Sequence, residues 1–375
     1  MLALVLHGFG DAAVEEVPDP VPGPGEVVID VTCVQPSVTE CMLLAGEPIA
    51  MHNVLAARLA AGPTRFGGHE FAGVISAAGP PIPTNTPPGE KSDKSRRGAP
   101  DLSCQPGDLV TAVETAACGR CAACRRDRPD ACPSPSVLGF TGPGAFAERV
   151  VVPARTVVRV PGGVSAAQAA AVQPLAGAIH GHAVAAVRPG DTVLVIGAGV
   201  MGVLHTQVAR LGNAGQIIVT GRSAAKLELA RHAGADLVLD ATREDVVARV
   251  LEATEGIGAD VVFECAGEFE QAARGVRRGG TIVMVSVLPN HAPAPLALLR
   301  ERSVALLHPR SGAGGYAPGS SVFEHALRLV RRGDVELQGL ISHRLKGIEA
   351  LPEALEITRY KHRYGALGPA QVDLA

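Results

Sequence analysis

Four cysteines fall within fifteen residues, as Cys118-Gly-Arg-Cys121-Ala-Ala-Cys124 and then, after seven more residues, Cys132. The spacing C-x2-C-x2-C-x7-C is that of a closed tetrahedral thiolate site, because a tight loop brings all four sulfurs to one point and Zn²⁺ accepts them readily. Half of the chain's eight cysteines are spent here. Four thiolates on one Zn²⁺ leave a local charge of minus two, which Arg120, Arg125, Arg126 and Arg128 can offset. A closed site keeps no open coordination position, so it holds a loop in shape and does no chemistry. The expectation is one structural zinc per chain, bound by Cys118, Cys121, Cys124 and Cys132 in a lobe of about residues 115–135.

A second constellation is backbone chemistry. Thr192-Val-Leu-Val-Ile196 reads as a short buried strand, and Gly197-x-Gly199-x-x-Gly202 follows at once, opening a helix that runs to about Leu211. The first glycine makes the tight turn, and the second lets a pyrophosphate approach the backbone at Gly199, Val200 and Met201. The third, Gly202, lets helix pack on strand. In this strand–turn–helix context the pattern indicates dinucleotide binding. Cofactor choice is set at the end of the next strand, where an acidic residue would hold the ribose 2′-hydroxyl of NAD. That strand ends Thr220-Gly221-Arg222-Ser223 with no carboxylate. Arg222 and Ser223 can hold a 2′-phosphate, so the expected cofactor is NADP(H).

The elements that must position these groups fall into two styles. From residue 192 onward, strands near 192–196, 216–220, 236–239, 259–263 and 281–285 alternate with helices near 200–211, 224–233, 244–253 and 269–277. Apolar runs joined by amphipathic helices imply a doubly wound parallel α/β sheet. The N-terminal part is rich in proline, glycine and short β-like runs, beginning with Met1–Leu6 and including Glu26–Val31 and Phe71–Ile75. It reads as a compact, mostly β domain punctuated by Pro-Gly turns. Residues 79–105 are polar and proline-rich and read as a mobile surface insertion, with Cys104 a lone thiol inside it.

A chain of 375 residues suits two domains, and 47% hydrophobic residues suffice for two cores. The formal net charge of −3 implies no basic face for nucleic acid. No apolar run reaches the ~18 residues that span a bilayer, and the start lacks the basic region of a signal peptide. A cytoplasmic, reducing location follows as the expectation and suits four reduced thiols.

In combination these segments resemble the zinc-containing medium-chain dehydrogenase/reductase superfamily, the alcohol and polyol dehydrogenase group. The matching stretches are Gly68-His69-Glu70 before Phe71-Ala-Gly-Val, Pro106-Gly107-Asp108-Leu-Val110, the cysteine lobe and Gly144-Ala-Phe-Ala-Glu148. The glycine fingerprint and Ile341-Ser-His-Arg-Leu345 complete the set. The resemblance implies a GroES-like, β-rich catalytic domain over residues 1–176 and a Rossmann domain over 177–312. A C-terminal return over 313–375 joins the catalytic domain, with an active site in the cleft. It also implies a small-molecule substrate and a homo-dimer or homo-tetramer.

The family's catalytic zinc is bound by a cysteine of a C-G-x-D type motif, the histidine of G-H-E, and a Cys, Asp or Glu before Pro-Leu. Here the first motif aligns with Pro36-Ser37-Val38-Thr39-Glu40 and the last with Val172-Gln173-Pro174-Leu175. Ser37, His69 and Gln173 therefore occupy the three positions and bring no formal charge. Dehydrating Zn²⁺ for one nitrogen and two weak neutral oxygens is unfavourable, so no stable catalytic zinc is expected. Cys33 and Cys41 would need a four-residue register shift to reach the site and read as buried core thiols. Glu70 is a further potential ligand that in the family usually sits behind the metal. Thr39 keeps the first hydroxyl of the family's proton relay, Met42 stands where a relay histidine often lies, and His52 reads as a surface residue.

Ser37, Thr39, His69 and Gln173 can instead donate hydrogen bonds to an acceptor oxygen. Without Lewis-acid help, a conjugated C=C, a C=N or an activated C=O is an easier target than an unactivated alcohol. The sequence thus points to an NADP(H)-dependent reductase. The alternatives are a zinc-dependent alcohol or polyol dehydrogenase with an atypical metal site, and a catalytically silent NADPH-binding protein.

Overall fold

The protein is described by a computed structural model covering residues 1–81, 104–126, 128–309 and 321–374. Contacts divide these residues into two units. One holds Met1–Gln173 with residues 321–331 and 337–374, and the other holds Pro174 through residue 309 with Arg332–Glu336. The boundary at Gln173 lies three residues before the expected one, inside the helix Val172–Ala185.

The second unit is a six-stranded, all-parallel sheet. Its spatial order is Leu237–Asp240, Gln216–Gly221, Thr192–Ile196, Ala259–Glu264, Val276–Met284 and Ala305–Leu307. Strand pleating sends alternate residues to opposite faces. Val193, Val195, Ile217 and Val219 pack into one apolar layer, and Leu194, Ile196, Ile218 and Leu239 into the other. Both layers are buried, as expected of a parallel sheet covered on each face by helices.

Beyond shifts of a residue or two, the elements depart from the sequence expectation in two places. The helix expected to reach Arg277 ends at Gly275, where Val276 turns to extended backbone and starts the next strand. The edge strand Ala305–Leu307 was not anticipated, being three residues long and largely exposed, without an alternating pattern.

The first unit is mostly antiparallel. Its main sheet runs Val157–Arg159, Leu109–Ala112, Phe71–Ala78, Glu26–Val34, Ala370–Asp373, His343–Lys346, and Arg149–Pro153 also pairs with Glu26–Val34. Val372 and Asp373 face Val34 and Cys33 across this sheet, so the end of the chain completes a core begun near its start. Leu351, Leu355 and Ile357 of the helix Leu351–Arg359 pack in that core with Leu4, Ile29 and Phe71.

Residues 82–103, most of the expected surface insertion, lie outside the described residues. Its flanks are well fixed. Gly79 N–H donates to Glu26 O at 2.8 Å, and Cys104 is buried in the first unit's core rather than in an insertion. The thiol is apolar enough to be drawn under the adjoining strands.

Candidate functional site

The cysteine lobe is closed by a short antiparallel pair, Thr115–Ala116 with Ser136–Val137. The four Sγ atoms lie within 4.8 Å of one another, and among the described residues this is the one such group of metal-binding side chains. Cys121 Sγ is 3.4 Å from Cys124 Sγ and 3.9 Å from Cys132 Sγ. No pair is a disulfide, and these separations match the ~3.8 Å between thiolates on a tetrahedral zinc. Backbone N–H groups of Arg120 and Cys121 hold the Cys118 thiol down to about 6, whereas desolvation and the Cys121 sulfur push Cys124 up to about 11, so the thiols favour a shared proton until a metal displaces it. The donor set fits a structural zinc.

The histidine site is built around a residue the sequence reading did not single out. Ser37 caps the helix Val38–Leu44, accepting from the Glu40 N–H at 3.1 Å, while Glu40 Oε2 accepts from the Ser37 N–H at 2.8 Å. This reciprocal box stabilises the helix start. It also aims the other oxygen of Glu40 at the 68–69 segment. Glu40 Oε1 accepts from Gly68 N–H at 2.6 Å and from His69 Nδ1 at 2.8 Å. Gly68 has φ +85°, and a Cβ there would lie 2.2 Å from the Phe146 nitrogen, so this close approach requires glycine.

Glu40 is fully buried. Burial opposes its ionisation, but the His69 charge and the backbone donors win and hold the carboxyl below its usual range. Burial likewise opposes a charge on His69, yet Glu40, helped by Glu70 and Glu114, raises it to about 9. Glu70 Oε1 lies 3.9 Å from His69 Nε2, and Gln35 Nε2 donates to Glu70 Oε2 at 2.5 Å. Burial raises the Glu70 carboxyl to about 7, and the Glu40 charge adds to this against the pull of His69. Two groups able to carry a proton near neutrality therefore stand side by side.

Gln173 Nε2 donates to Glu114 Oε1 at 3.0 Å, and the second oxygen of Glu114 is buried without a partner. Thr39 is half-buried on the first turn after Ser37, as is Met42. Cys33 and Cys41 are buried, and desolvation pushes both thiols up to about 12, so neither presents a thiolate. His52 is half-buried, stacked on the Phe9 ring at 4.7 Å between centroids, rather than standing free on the surface.

The three positions at which the family binds its catalytic zinc are therefore engaged otherwise. The Ser37 hydroxyl is a helix cap, the Gln173 amide nitrogen serves Glu114, and His69, Glu70 and Glu114 are not gathered to ligand spacing. The set does not fit a resident zinc. Glu40, Gln35 and Glu114 were missed because each is distant in sequence from the motif it supports. Only Glu40 left a trace, the Ser-x-x-Glu spacing of a capping box.

The glycine turn is built as a phosphate cradle. Gly197 has φ +102°, and its N–H donates to Thr220 O at 2.9 Å. A Cβ on Gly202 would lie 1.8 Å from Gly197 O, so helix and turn touch there. At Gly199, the cap of the helix Val200–Leu211, a Cβ would meet nothing. Open space beside N–H groups at a helix N-terminus fits a pyrophosphate. Gly221 is closely packed, with a Cβ position 3.0 Å from Ala198 Cβ. Beyond it Arg222 is exposed and Ser223 half-buried, with no hydrogen bond or ion pair made by either side chain among the described residues.

A chain with a parallel-sheet dinucleotide cradle in one unit, and a cysteine quartet and a buried histidine in a second, β-rich unit, has the architecture of a nicotinamide-dependent oxidoreductase. Family profiles agree: "Alcohol dehydrogenase GroES-like domain" matches residues 23–162 and "Zinc-binding dehydrogenase" matches residues 199–332. The chain is 30% identical over 352 residues to a sorbitol dehydrogenase of Halalkalibacterium halodurans, covering 92% of each protein. It is 29% identical over 355 residues to an L-threonine 3-dehydrogenase of Pyrococcus horikoshii, covering 94% of this chain and 93% of that one. Among solved structures, a zinc-binding dehydrogenase target from Sinorhizobium meliloti 1021, bound to NADP, superposes with a TM-score of 0.79. That pair is 28% identical, with 99% of this chain and 98% of the other covered. The chain belongs to the zinc-containing medium-chain dehydrogenase/reductase family and is an NAD(P)-dependent oxidoreductase. No helix among the described residues is long and apolar enough to cross a membrane.

Proposed function

We propose that this protein is an NADP(H)-dependent reductase of a conjugated C=C, a C=N or an activated C=O bond in a small molecule. On this reading it carries one structural zinc at the cysteine quartet and no metal at His69. The carrying observation is the Glu40–His69 pair, in which a buried carboxylate 2.8 Å from Nδ1 keeps the imidazole protonated up to about 9. A cationic imidazole is a hydrogen-bond donor and a poor metal ligand.

NADPH, when bound, supplies the hydride. The chain's own residues supply the proton and the polarisation. His69 Nε2 can donate to an acceptor oxygen or nitrogen, Glu70 stands 3.9 Å away to restore that proton, and Glu40 holds the ring in place from behind. NADP preference rests on Arg222 and Ser223, unengaged at the end of the strand that carries no carboxylate. The NADP-bound Sinorhizobium relative supports it. A reducing cytoplasm and a homo-dimer or homo-tetramer complete the reading, supported by four reduced thiols and by the family resemblance.

A second reading has its own observation. The unpartnered Glu114 oxygen, with Glu70 and His69 nearby, favours a divalent cation on an unusual oxygen-rich set and hence a zinc-dependent alcohol or polyol dehydrogenase. Zinc analysis after dialysis against a mild chelator separates the two. About one zinc per chain, from the ligand count at the quartet, with chelator-insensitive NADPH turnover supports the metal-free reductase. Two zincs, with activity lost as the weaker one leaves, would overturn it. Titration of both cofactors should show NADPH binding at least tenfold tighter than NADH, about 1.4 kcal/mol, with Arg222→Ala erasing most of the gap. Equal affinities in the parent protein would refute the NADP assignment. Binding of NADPH without oxidation by any conjugated or iminium acceptor would instead indicate a silent binding protein.

A further inference from the structure

Glu264 is fully buried and forms no ion pair among the described residues. It ends the strand Ala259–Glu264, directly opposite Ile196, the residue that leads into the glycine turn. Its Oε1 accepts from three successive backbone amides: Ala266 at 2.7 Å, Gly267 at 2.6 Å and Glu268 at 3.0 Å. Its Oε2 accepts the hydroxyl of Ser286, just beyond the neighbouring strand Val276–Met284. A buried anion is costly unless surrounding donors satisfy it, and donors spent this way lock the segment that carries them.

The locked segment is packed on the phosphate turn. A Cβ on Gly197 would lie 2.9 Å from Ala266 Cβ and 3.3 Å from the Cys265 carbonyl carbon. Cys265 N–H donates to Ile196 O at 2.9 Å, and Gly267 takes φ +83°, a conformation that favours glycine. Residues 265–268 and the glycine turn thus fix one another. A dinucleotide lies across the carboxyl ends of the strands, with its pyrophosphate at the glycine turn. The strand Gln216–Gly221, on one side of that turn, leads into Arg222 and Ser223, which on the reading above hold the adenosine ribose. The strand Ala259–Glu264, on the other side, must border the remaining half.

We propose that Glu264 is a positioning residue for the nicotinamide half of the cofactor. It holds 265–268 as the wall against which the nicotinamide ribose lies. Its charge is satisfied by the protein's own amides instead of facing the pyrophosphate. The inference rests on the NADP(H) reading above.

The test compares the full-length parent, Glu264→Ala, Glu264→Gln and Ser286→Ala in binding two probes, NADPH and adenosine 2′,5′-bisphosphate, which carries the adenosine half alone. Glu264→Ala should weaken NADPH at least tenfold and change bisphosphate binding less than twofold. Glu264→Gln, which keeps an acceptor oxygen but no charge, should fall between it and the parent. Ser286→Ala should lose a few-fold in NADPH only. Unchanged NADPH affinity in Glu264→Ala, or an equal loss of both probes, overturns the positioning role. If Glu264→Ala does not fold, the other two variants decide it in the same way: NADPH weakened with bisphosphate spared supports it, and both probes unchanged or equally weakened overturns it. A parent that binds the bisphosphate and NADPH normally, with unaffected variants, sinks this inference alone. A parent that binds neither probe sinks the cofactor reading beneath it as well.

Discussion

The cysteine lobe and the His69 site belong to the same unit and handle concentrated negative charge in opposite ways. In the lobe, four sulfurs stand within 4.8 Å of one another, a donor set that suits a zinc ion supplied from outside the chain. At His69 the anions and the cation are both supplied by the chain. Glu40 is fully buried, its charge is met by the imidazole at 2.8 Å and by backbone donors, and Gln35 serves Glu70. A thiolate cluster is an incomplete structure without metal. A carboxylate–imidazolium pair satisfied by backbone amides is complete. On the proposed reading, the positions of the family's two metals therefore differ here in what they need.

Breaking the lobe should have the largest effect. Cys121→Ser leaves three thiolates for an ion that takes four; the serine hydroxyl can still cap the turn Ala122–Arg125 but cannot replace the thiolate as a ligand. Zinc per chain should fall from about one to near zero, with loss of hydrogen-exchange protection across about residues 115–135, because folding of such loops is coupled to the metal. Cofactor affinity should be unchanged. Unaltered zinc in this variant would remove the lobe from the comparison.

How much of this was legible in the sequence depends on how local each device is. The glycine turn and the quartet use residues a few positions apart, and their spacing alone carries the geometry. Ser37 and Gln173 were visible as absences at positions where the family has ligands. What replaced the ligands was hidden. Glu114 meets Gln173 across 59 positions and Gln35 meets Glu70 across 35, and neither pairing follows from periodicity. The parallel sheet of the second unit was readable because both its faces are apolar, so every strand but the exposed edge Ala305–Leu307 reads as a short apolar run. The placement of Cys104 was not, because the polar run before it masks a residue that belongs to the core.

Restoring the family's ligands should move the His69 site toward the lobe. Ser37→Cys with Gln173→Glu adds a thiolate and a carboxylate, two negative charges beside His69. The count should rise to about two zincs per chain, and the second should be the one a chelator removes. Ser37 also caps a helix, so the double variant should lose about 1 kcal/mol of stability before metal is added. A count that stays at one would mean that Glu40 still holds the imidazole as a cation, sharpening the contrast between the two sites.

The smallest and most specific change is Glu40→Gln, which removes one charge from the self-neutralised site. His69 is raised to about 9 in the fold against an ordinary 6.5, so its protonation contributes stability that is full below about 6.5 and lost as pH rises through about 9. Glu70, raised to about 7 from 4.5, costs stability as pH rises through about 4.5 to 7, so the decline starts below the His69 range and continues into it. Glu40 has the opposite sign: held below its ordinary 4.5, it contributes stability that is present above that value and lost as pH falls. The parent should therefore be most stable in mildly acid solution and weaken on both sides. In Glu40→Gln the imidazole keeps its desolvation but loses its main counter-charge, so its protonated form should be confined to lower pH. The alkaline limb of NADPH-dependent reduction, which needs His69 protonated, should move down from about 9 by roughly two pH units, toward or below the ordinary histidine value. The kcat profile between pH 5 and 10, measured with thermal melts at the same pH values, reads both effects. An alkaline limb that stays near 9 in the variant would show that His69 is not the proton donor, whatever the melts show.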